Sequence, residues 1–349
     1  MMDRIAQAAP RERANLFQEA SGFRPGITSF IIEKDFWVCW ALKHIFRSVE
    51  LPLHLIFKGG TTLSKVFHVI ERFSEDVDLS FDRRELGFDT DHDPANAKSG
   101  QRQRALLDEL KAECETIIRK LVMPALLKDF ALVLGEPRQG PSGWDIAIDP
   151  DDSQTINFRY PPALISLGLN VPAYIRQSVR LEMGARSDAW PTNTYPITPY
   201  AAEIFPNMFQ STFCEVNTLE AIRTFWEKAT LLHAEFHRTN PTARSERMSR
   251  HYYDLYCLSK TAIGARALME TDLLKRVIEH KRVFFRSAWA HYETAVPGSF
   301  HLIPAAGRIK LLRNDYTEMK AMIFGASPEW DIIMEGLKYL EDRINRMNA

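Results

Sequence analysis

The chain has 349 residues, 45% of them hydrophobic and 26% charged, with a formal net charge of −1. That composition excludes a disordered chain and leaves a globular protein able to bury a substantial core. The length points to two domains, or one with a large appendage, while the near-neutral total carries no message about nucleic acid.

In chain order, residues 1–20 read as a short helix and GFRPG (22–26) as a turn. Residues 29–46 are helical, with Phe30, Trp37, Leu42 and Phe46 as apolar positions. Residues 54–57 form a short apolar strand leading into a Gly-Gly turn. Residues 61–71 read as a helix, with Leu63, Val66, Phe67 and Ile70 spaced by three and four. Residues 77–81 are a strand. The polar stretch 86–100 is expected to be a solvated loop. Its Asp89, Asp91 and Asp93 do not make an EF-hand, because the required glycine and glutamate are missing. A long helix over 101–127 is expected to end near Pro124. Strands follow at 145–148, 155–160 and 178–183. The segment 188–206, with Pro191, Pro196, Pro199 and Pro206, reads as a domain boundary. Beyond it the pattern is helical, at about 216–237, 246–262, 270–292 and 328–347. The predicted division is residues 1–205 and 206–349.

No apolar run approaches the length of about 18 residues that a membrane span needs, and the N-terminus lacks an apolar signal core, so a cytoplasmic location is expected. Cys39, Cys114, Cys214 and Cys257 are far apart with no CxxC spacing, which reads as free thiols. No internal repeat or low-complexity tract is present. Charge is unevenly placed: from Arg238 to Arg313 there are 14 Lys and Arg against 6 Asp and Glu. A basic C-terminal part facing an acidic metal-binding part suits a phosphate-rich polymer, although solvated helix faces explain the same count.

The most informative stretch is FKGGTTLSKVFHVIERFSEDVDLSF (57–81). Residues i and i+2 of a strand point to one side, so Asp76 and Asp78 present two carboxylates together. Two such charges about 4 Å apart repel by roughly 4 kcal/mol at an effective dielectric near 20, and a hard cation such as Mg²⁺ offsets that repulsion. Gly59, Gly60 and Thr61 open a helix whose free N–H groups can hold phosphate. KGGTTLSK is not a Walker A loop.

The order Gly-Gly-Thr, helix, Asp-x-Asp resembles the DNA polymerase β-like nucleotidyltransferase signature. Five blocks resemble one branch of it, the AbiEii/AbiGii toxin-type nucleotidyltransferases: IEKDFWV (32–38), FKGGTTLSK (57–65), RFSEDVDL (72–79), RHYYDLY (250–256) and HKRVFFRSAWAHY (280–292). They span most of the chain. The resemblance implies an α/β fold, with a polymerase β-like core containing a mixed sheet and a C-terminal helical domain completing the cleft. It implies an NTP substrate, with Mg²⁺ or Mn²⁺ as cofactor on Asp76 and Asp78, and a third carboxylate, which Glu182 in VRLEMGAR matches. It further implies a toxin of a toxin–antitoxin, phage-defence system, with a cognate antitoxin and a tRNA 3′ end as acceptor.

Lys228 borders the apolar stripe of LEAIRTFWEKATLLH and matches the family's functional lysine; Glu227 is the weaker partner. Asp254 is the motif aspartate, able to pair with Lys228 or to act as a base. Arg250, one turn earlier, is placed to bind phosphate. Lys58 and Ser74 flank the phosphate and metal positions. Each has a bland reading as a surface lysine, a packing ion pair or a turn residue. Glu33, Lys34 and Asp35 match a block without an evident role. His233 and His237 stand four apart in HAEFH; Ala234 replaces the glutamate of HExxH and no third ligand is evident, so they read as helix-surface histidines rather than a zinc site. Lys281, Arg282 and Arg286 alternate with Phe284, Phe285 and Trp289. They could grip an RNA end, with Phe285 and Trp289 better read as core. Two other functions remain open: nucleotidyl transfer to a small molecule or protein, and a non-catalytic NTP-binding module.

Overall fold

The structure is a computed structural model that describes residues 2–48, 51, 53–140, 142–169, 176–209, 213–238, 247–325 and 327–347. The N-terminal stretch is two helices, α1 (Met2–Gln7) and α2 (Pro10–Phe23), because Pro10 starts a new first turn, where its missing N–H is harmless. Next comes α3 (Ser29–Arg47), capped by the Thr28 hydroxyl accepting from the Ile31 amide. It is buried on almost every side. Trp37 stacks on Tyr160 and Trp40 packs on Phe130 and Phe158.

A seven-stranded sheet lies against this helix. Its strands are β1 (Leu55–Lys58), β2 (Asp76–Phe81), β3 (Asp145–Ile148), β4 (Thr155–Arg159), β5 (Val179–Gly184), β6 (Thr192–Ile197) and β7 (Cys214–Leu219), in the order β3-β4-β5-β2-β1-β7-β6. It is mixed: β2 pairs parallel with β5 and β1 parallel with β7, while the other neighbours are antiparallel. The expected α/β class and mixed sheet are therefore present. The sheet takes β6 and β7 from both sides of the 205/206 boundary.

Several elements differ from expectation. The helix after the Gly-Gly turn, α4 (Gly60–Lys65), stops six residues early. His68 adopts a left-handed φ of +51°, and the chain then pairs with a distant segment, the Phe73 amide donating to the Met322 carbonyl and the Phe324 amide to that of Glu71. The long helix does not end at Pro124. A π-turn at Ile118–Val122 joins α5 (Gly100–Ile117) to α6 (Met123–Leu134), and Pro124 follows directly after it, so the wider turn accommodates the bond that its missing N–H cannot make. The loop before α5 is not simply solvated. It buries Leu86, Phe88 and Pro94 and is held by Arg83 to Asp93. The proline-rich segment holds β6, whose place at the sheet edge tolerates Pro196. It continues into α7 (Tyr200–Ile204). Residues 214–219 are strand, not helix, with Cys214, Val216 and Thr218 alternately buried.

The helices that follow are α8 (Ala221–Phe236), α9 (Ser249–Ser259), α10 (Ala262–Met269), α11 (Thr271–Phe284), α12 (Ile309–Met319) and α13 (Trp330–Asn345). Of these, α10 and α12 were not expected, and α11 ends eight residues short of the expected 292. Residues 1 and 239–246 of the expected helices and the basic stretch lie outside the described residues. The helices surround a second apolar core containing Phe225, Trp226, Tyr252, Leu255 and Leu337. Among the described residues, no helix is long and apolar enough to cross a membrane. Cys39, Cys114 and Cys214 are buried free thiols and Cys257 is half-buried.

Candidate active site

The site is assembled by strand register. Lys58 on β1 stands opposite Asp78 on β2, and Asp78 stands opposite Glu182 on β5. Asp76 lies two residues along on the same side as Asp78. Three strands thus set one lysine and three carboxylates along the floor of a cleft of about 300 Å³. Its opposite wall is α8, α9 and α11, which supply Glu227, Lys228, Arg250, His251, His280 and Lys281.

The Gly-Gly turn is required by space as well as by shape. Gly59 has φ +81°, and a Cβ there would lie 1.9 Å from an Asp78 carboxylate oxygen. A Cβ on Gly60 would meet the Arg72 guanidinium at 2.8 Å and the Ser74 hydroxyl at 3.0 Å. The turn and the acids therefore touch. Thr61 is placed differently from expectation: it is buried, off the cleft lining, and its hydroxyl donates to the Asp76 carbonyl, tying α4 to the start of β2. Ser74 lines the cleft as expected.

The acids are electrostatically stressed. Burial pushes the Glu182 carboxyl up to about 7, with Asp78 and Asp76 adding repulsion against the pull of Arg180 and Arg250. Burial also raises Asp78; Lys58 opposes the shift and Asp76 adds to it. Asp76 is 3.6 Å from the Arg250 guanidinium. Among the described residues, no three His, Cys, Asp or Glu side chains are already drawn into a metal cage. The three carboxylates are nevertheless the all-oxygen donor set that suits Mg²⁺ or Mn²⁺, and a divalent cation relieves their mutual repulsion.

Lys228, Asp254 and Arg72 form one buried cluster. Asp254 is fully buried and takes two hydrogen bonds from Arg72, at 2.7 and 2.8 Å, and an ion pair from Lys228 at 2.8 Å. Burial alone would raise its pKa, but Arg72 and Lys228 hold it well below the usual carboxylate range. Asp254 does not line the cleft. Of its two expected roles, orienting Lys228 fits this geometry; accepting a proton does not. Lys228 also donates to Nδ1 of His251 at 3.2 Å. Burial and the Lys228 and Arg250 charges keep that imidazole neutral, so it can accept.

The IEKD block acquires a role. Glu33, Lys34 and Asp35 are buried on α3, and each reaches a different element. Glu33 accepts from the Ala163 and Leu164 amides. Asp35 pairs with Lys65 at 2.7 Å and accepts from the Tyr200 amide. Lys34 pairs at 2.7 Å with Glu75, next to Asp76, and Glu75 is also 2.9 Å from Arg247 at the approach to α9. Three consecutive side chains therefore tie residues 163 and 164, the start of β2, and α4 together with α7 to one helix.

Other side chains fall where the sequence did not place them. Arg72, in RFSEDVDL, takes its role from the fold, where it donates to Asp254. Phe285 is 43% exposed and lines the cleft instead of the core. Trp289 is half-buried beneath the Arg238 guanidinium, 3.8 Å away. His233 is buried, not on the helix surface. Its Nε2 bonds the His291 carbonyl and the Thr294 hydroxyl, and its Nδ1 accepts from the His301 amide, which leaves no nitrogen for zinc.

No curated protein matches the chain. Among solved structures, MenT4, a nucleotidyltransferase toxin from Mycobacterium tuberculosis H37Rv, shares the fold with a TM-score of 0.51 at 13% identity, over 96% of this chain and 90% of that one. A family model described as the nucleotidyl transferase AbiEii toxin of a type IV toxin–antitoxin system matches residues 40–336. With a match over most of its length, the chain belongs to the AbiEii nucleotidyltransferase toxin family.

Proposed function

We propose that this nucleotidyltransferase moves a nucleoside monophosphate from an NTP to an RNA acceptor, the 3′ end of tRNA, and acts as the cytoplasmic toxin of a phage-defence pair held in check by a cognate antitoxin. The observation that carries the reading is the row Lys58–Asp78–Glu182, set against the Gly59–Gly60 turn and facing Lys228 across one cleft. Mg²⁺ or Mn²⁺ on Asp76, Asp78 and Glu182 would lower the pKa of the acceptor hydroxyl and neutralise triphosphate charge. The acceptor hydroxyl gives its proton to solvent, its oxygen bonds to the α-phosphorus, the bond from that phosphorus to the bridging oxygen of the β-phosphate breaks, and pyrophosphate leaves. Backbone N–H groups of Gly59–Thr61 bind phosphate oxygens, and Lys58, Lys228 and Arg250 stabilise the charge that develops. Asp254 and Arg72 act through Lys228, fixing where its ammonium sits. The chain is proposed to work as two lobes, a sheet lobe and a helical lobe, divided in sequence near residues 205 and 206 except that β7 returns to the sheet lobe.

An RNA acceptor is supported by a second groove, which meets the cleft at Tyr292 and carries Arg282 and Arg286, while exposed Phe285 lines the cleft. Basic side chains beside an aromatic face suit a single-stranded end. The test is incubation of the protein with each labelled NTP, Mg²⁺ and total tRNA. Labelled tRNA is expected, and it should vanish with chelator. Label on protein or on a small molecule would move the acceptor to those classes. No labelled product with any NTP would refute the reading.

A further inference from the structure

Lys281 is 9% exposed, and its ammonium donates to the Glu227 carbonyl at 2.7 Å, which holds it beside Lys228 on the cleft wall. An ammonium has three donors, and that carbonyl takes one. Among the described residues, no carboxylate lies within ion-pair distance of it. A buried cation so placed is costly unless a ligand brings the counter-charge. The cleft that needs charge on its far wall is the one into which Lys58 and Arg250 also project.

We propose that Lys281 is a phosphate-binding residue, which contacts the triphosphate of the incoming NTP from the α11 wall and closes a ring of cations with Lys58, Lys228 and Arg250. The proposal rests on NTP binding in this cleft. Sequence alone would assign Lys281 to an RNA grip together with Arg282 and Arg286. The fold separates them, because Arg282 and Arg286 line the neighbouring groove and Lys281 does not.

The surroundings of Lys281 add a signature. Burial lowers its pKa to about 8; Glu227 pulls it up, and Arg223 and Lys228 press it down. The Tyr292 ring lies 5.6 Å from the ammonium, and His280, whose imidazole burial brings down to about 4, lines the same cleft from the same helix. A bound triphosphate opposes that depression and raises the pKa. Binding near pH 8 therefore takes up part of a proton at Lys281.

The test is isothermal titration calorimetry of the full chain at pH 8 with Mg²⁺ and the four α,β-methylene NTP analogues, in two buffers of different ionisation enthalpy. Lys281→Met is expected to weaken binding by about 10- to 100-fold, the loss of one charge-assisted contact. Lys281→Arg keeps its charge at all working pH values. It should retain affinity while losing the Lys281 contribution to the buffer-dependent enthalpy. Wild-type affinity in Lys281→Met, or an unchanged buffer dependence in Lys281→Arg, would overturn the assignment. A Lys281→Met defect seen only in tRNA binding would also overturn it, by moving the contact to the acceptor. If Lys281→Met does not fold, the Lys281→Arg measurement decides alone. A wild type that binds no analogue overturns the nucleotidyltransferase site itself, which is distinguishable from binding that is indifferent to Lys281.

Discussion

Replacing Asp254 by Asn keeps the shape of the side chain and removes its charge from between two buried cations. Each contact, at 2.7–2.8 Å, carries a gross attraction of about 6 kcal/mol at an effective dielectric near 20. Desolvation offsets most of that, and breaking a buried pair typically costs about 3–5 kcal/mol net. For a chain of this size unfolding as one unit, that is a fall in Tm of roughly 4–7 °C. Activity should fall with stability, since Lys228 loses the group that aims it. Thermal melts at pH 7 beside the transfer assay measure both effects. Lys228→Met in the Asp254→Asn background should recover part of the stability, because it removes one of the stranded cations. The pH dependence has a fixed sign. The folded pKa of Asp254 lies below the unfolded value of about 3.9, so its stabilisation is complete above that pH and is lost as pH falls below it. Asp254→Asn should flatten this acid limb. A variant that melts like wild type yet is inactive would mean that Asp254 takes a proton. One that melts like wild type and stays active would sink the whole cluster argument.

Asp76→Ala should abolish transfer while leaving the melting curve and circular dichroism spectrum unchanged; full activity would remove the metal role of Asp76. Gly59→Ala places a Cβ 1.9 Å from Asp78 at φ +81°, so turnover should drop on the order of 100-fold, from displacement of a reacting-site carboxylate, with the strain visible as a lower Tm. Lys34→Met leaves the 4%-exposed Glu75 with Arg247 alone and should cost about 3–5 kcal/mol, measured by denaturant titration; no loss would mean that the α3 tethers are incidental. Dialysis against EDTA should stop transfer reversibly, with activity restored by Mg²⁺ or Mn²⁺, and continued activity in the chelator would exclude the carboxylate set as a cation site.

The sequence by itself determined what local rules can carry. Alternation put Asp76 and Asp78 on one side of a strand, adjacent glycines marked a turn that opens a helix, and apolar spacing marked α3, α8 and α9. Five short blocks were sufficient to assign the family. Wherever a contact between distant segments outweighed local propensity, the sequence misled. Its helix at 61–71 ends early because residues 71–73 pair with 322–324. Its proline-rich stretch holds an unexpected strand, β6, which pairs with β7 at the sheet edge, where Pro196 is tolerated. Residues 214–219 lie on an amphipathic run that reads as helix until β1 is beside it.

The chemistry of the site divides along the same line. Which residue types are needed, acids with glycines and a lysine, is a local matter. Which of them meet was decided by register and helix packing. Asp78 faces Glu182 only because β2 and β5 run parallel in that register. Asp254 became an anchor once Arg72, 182 positions away, closed on it. Lys281 turned toward the cleft because α11 packs on α8. A carboxylate or ammonium takes its role from the charges within a few ångströms, and those neighbours are assembled only by the tertiary fold.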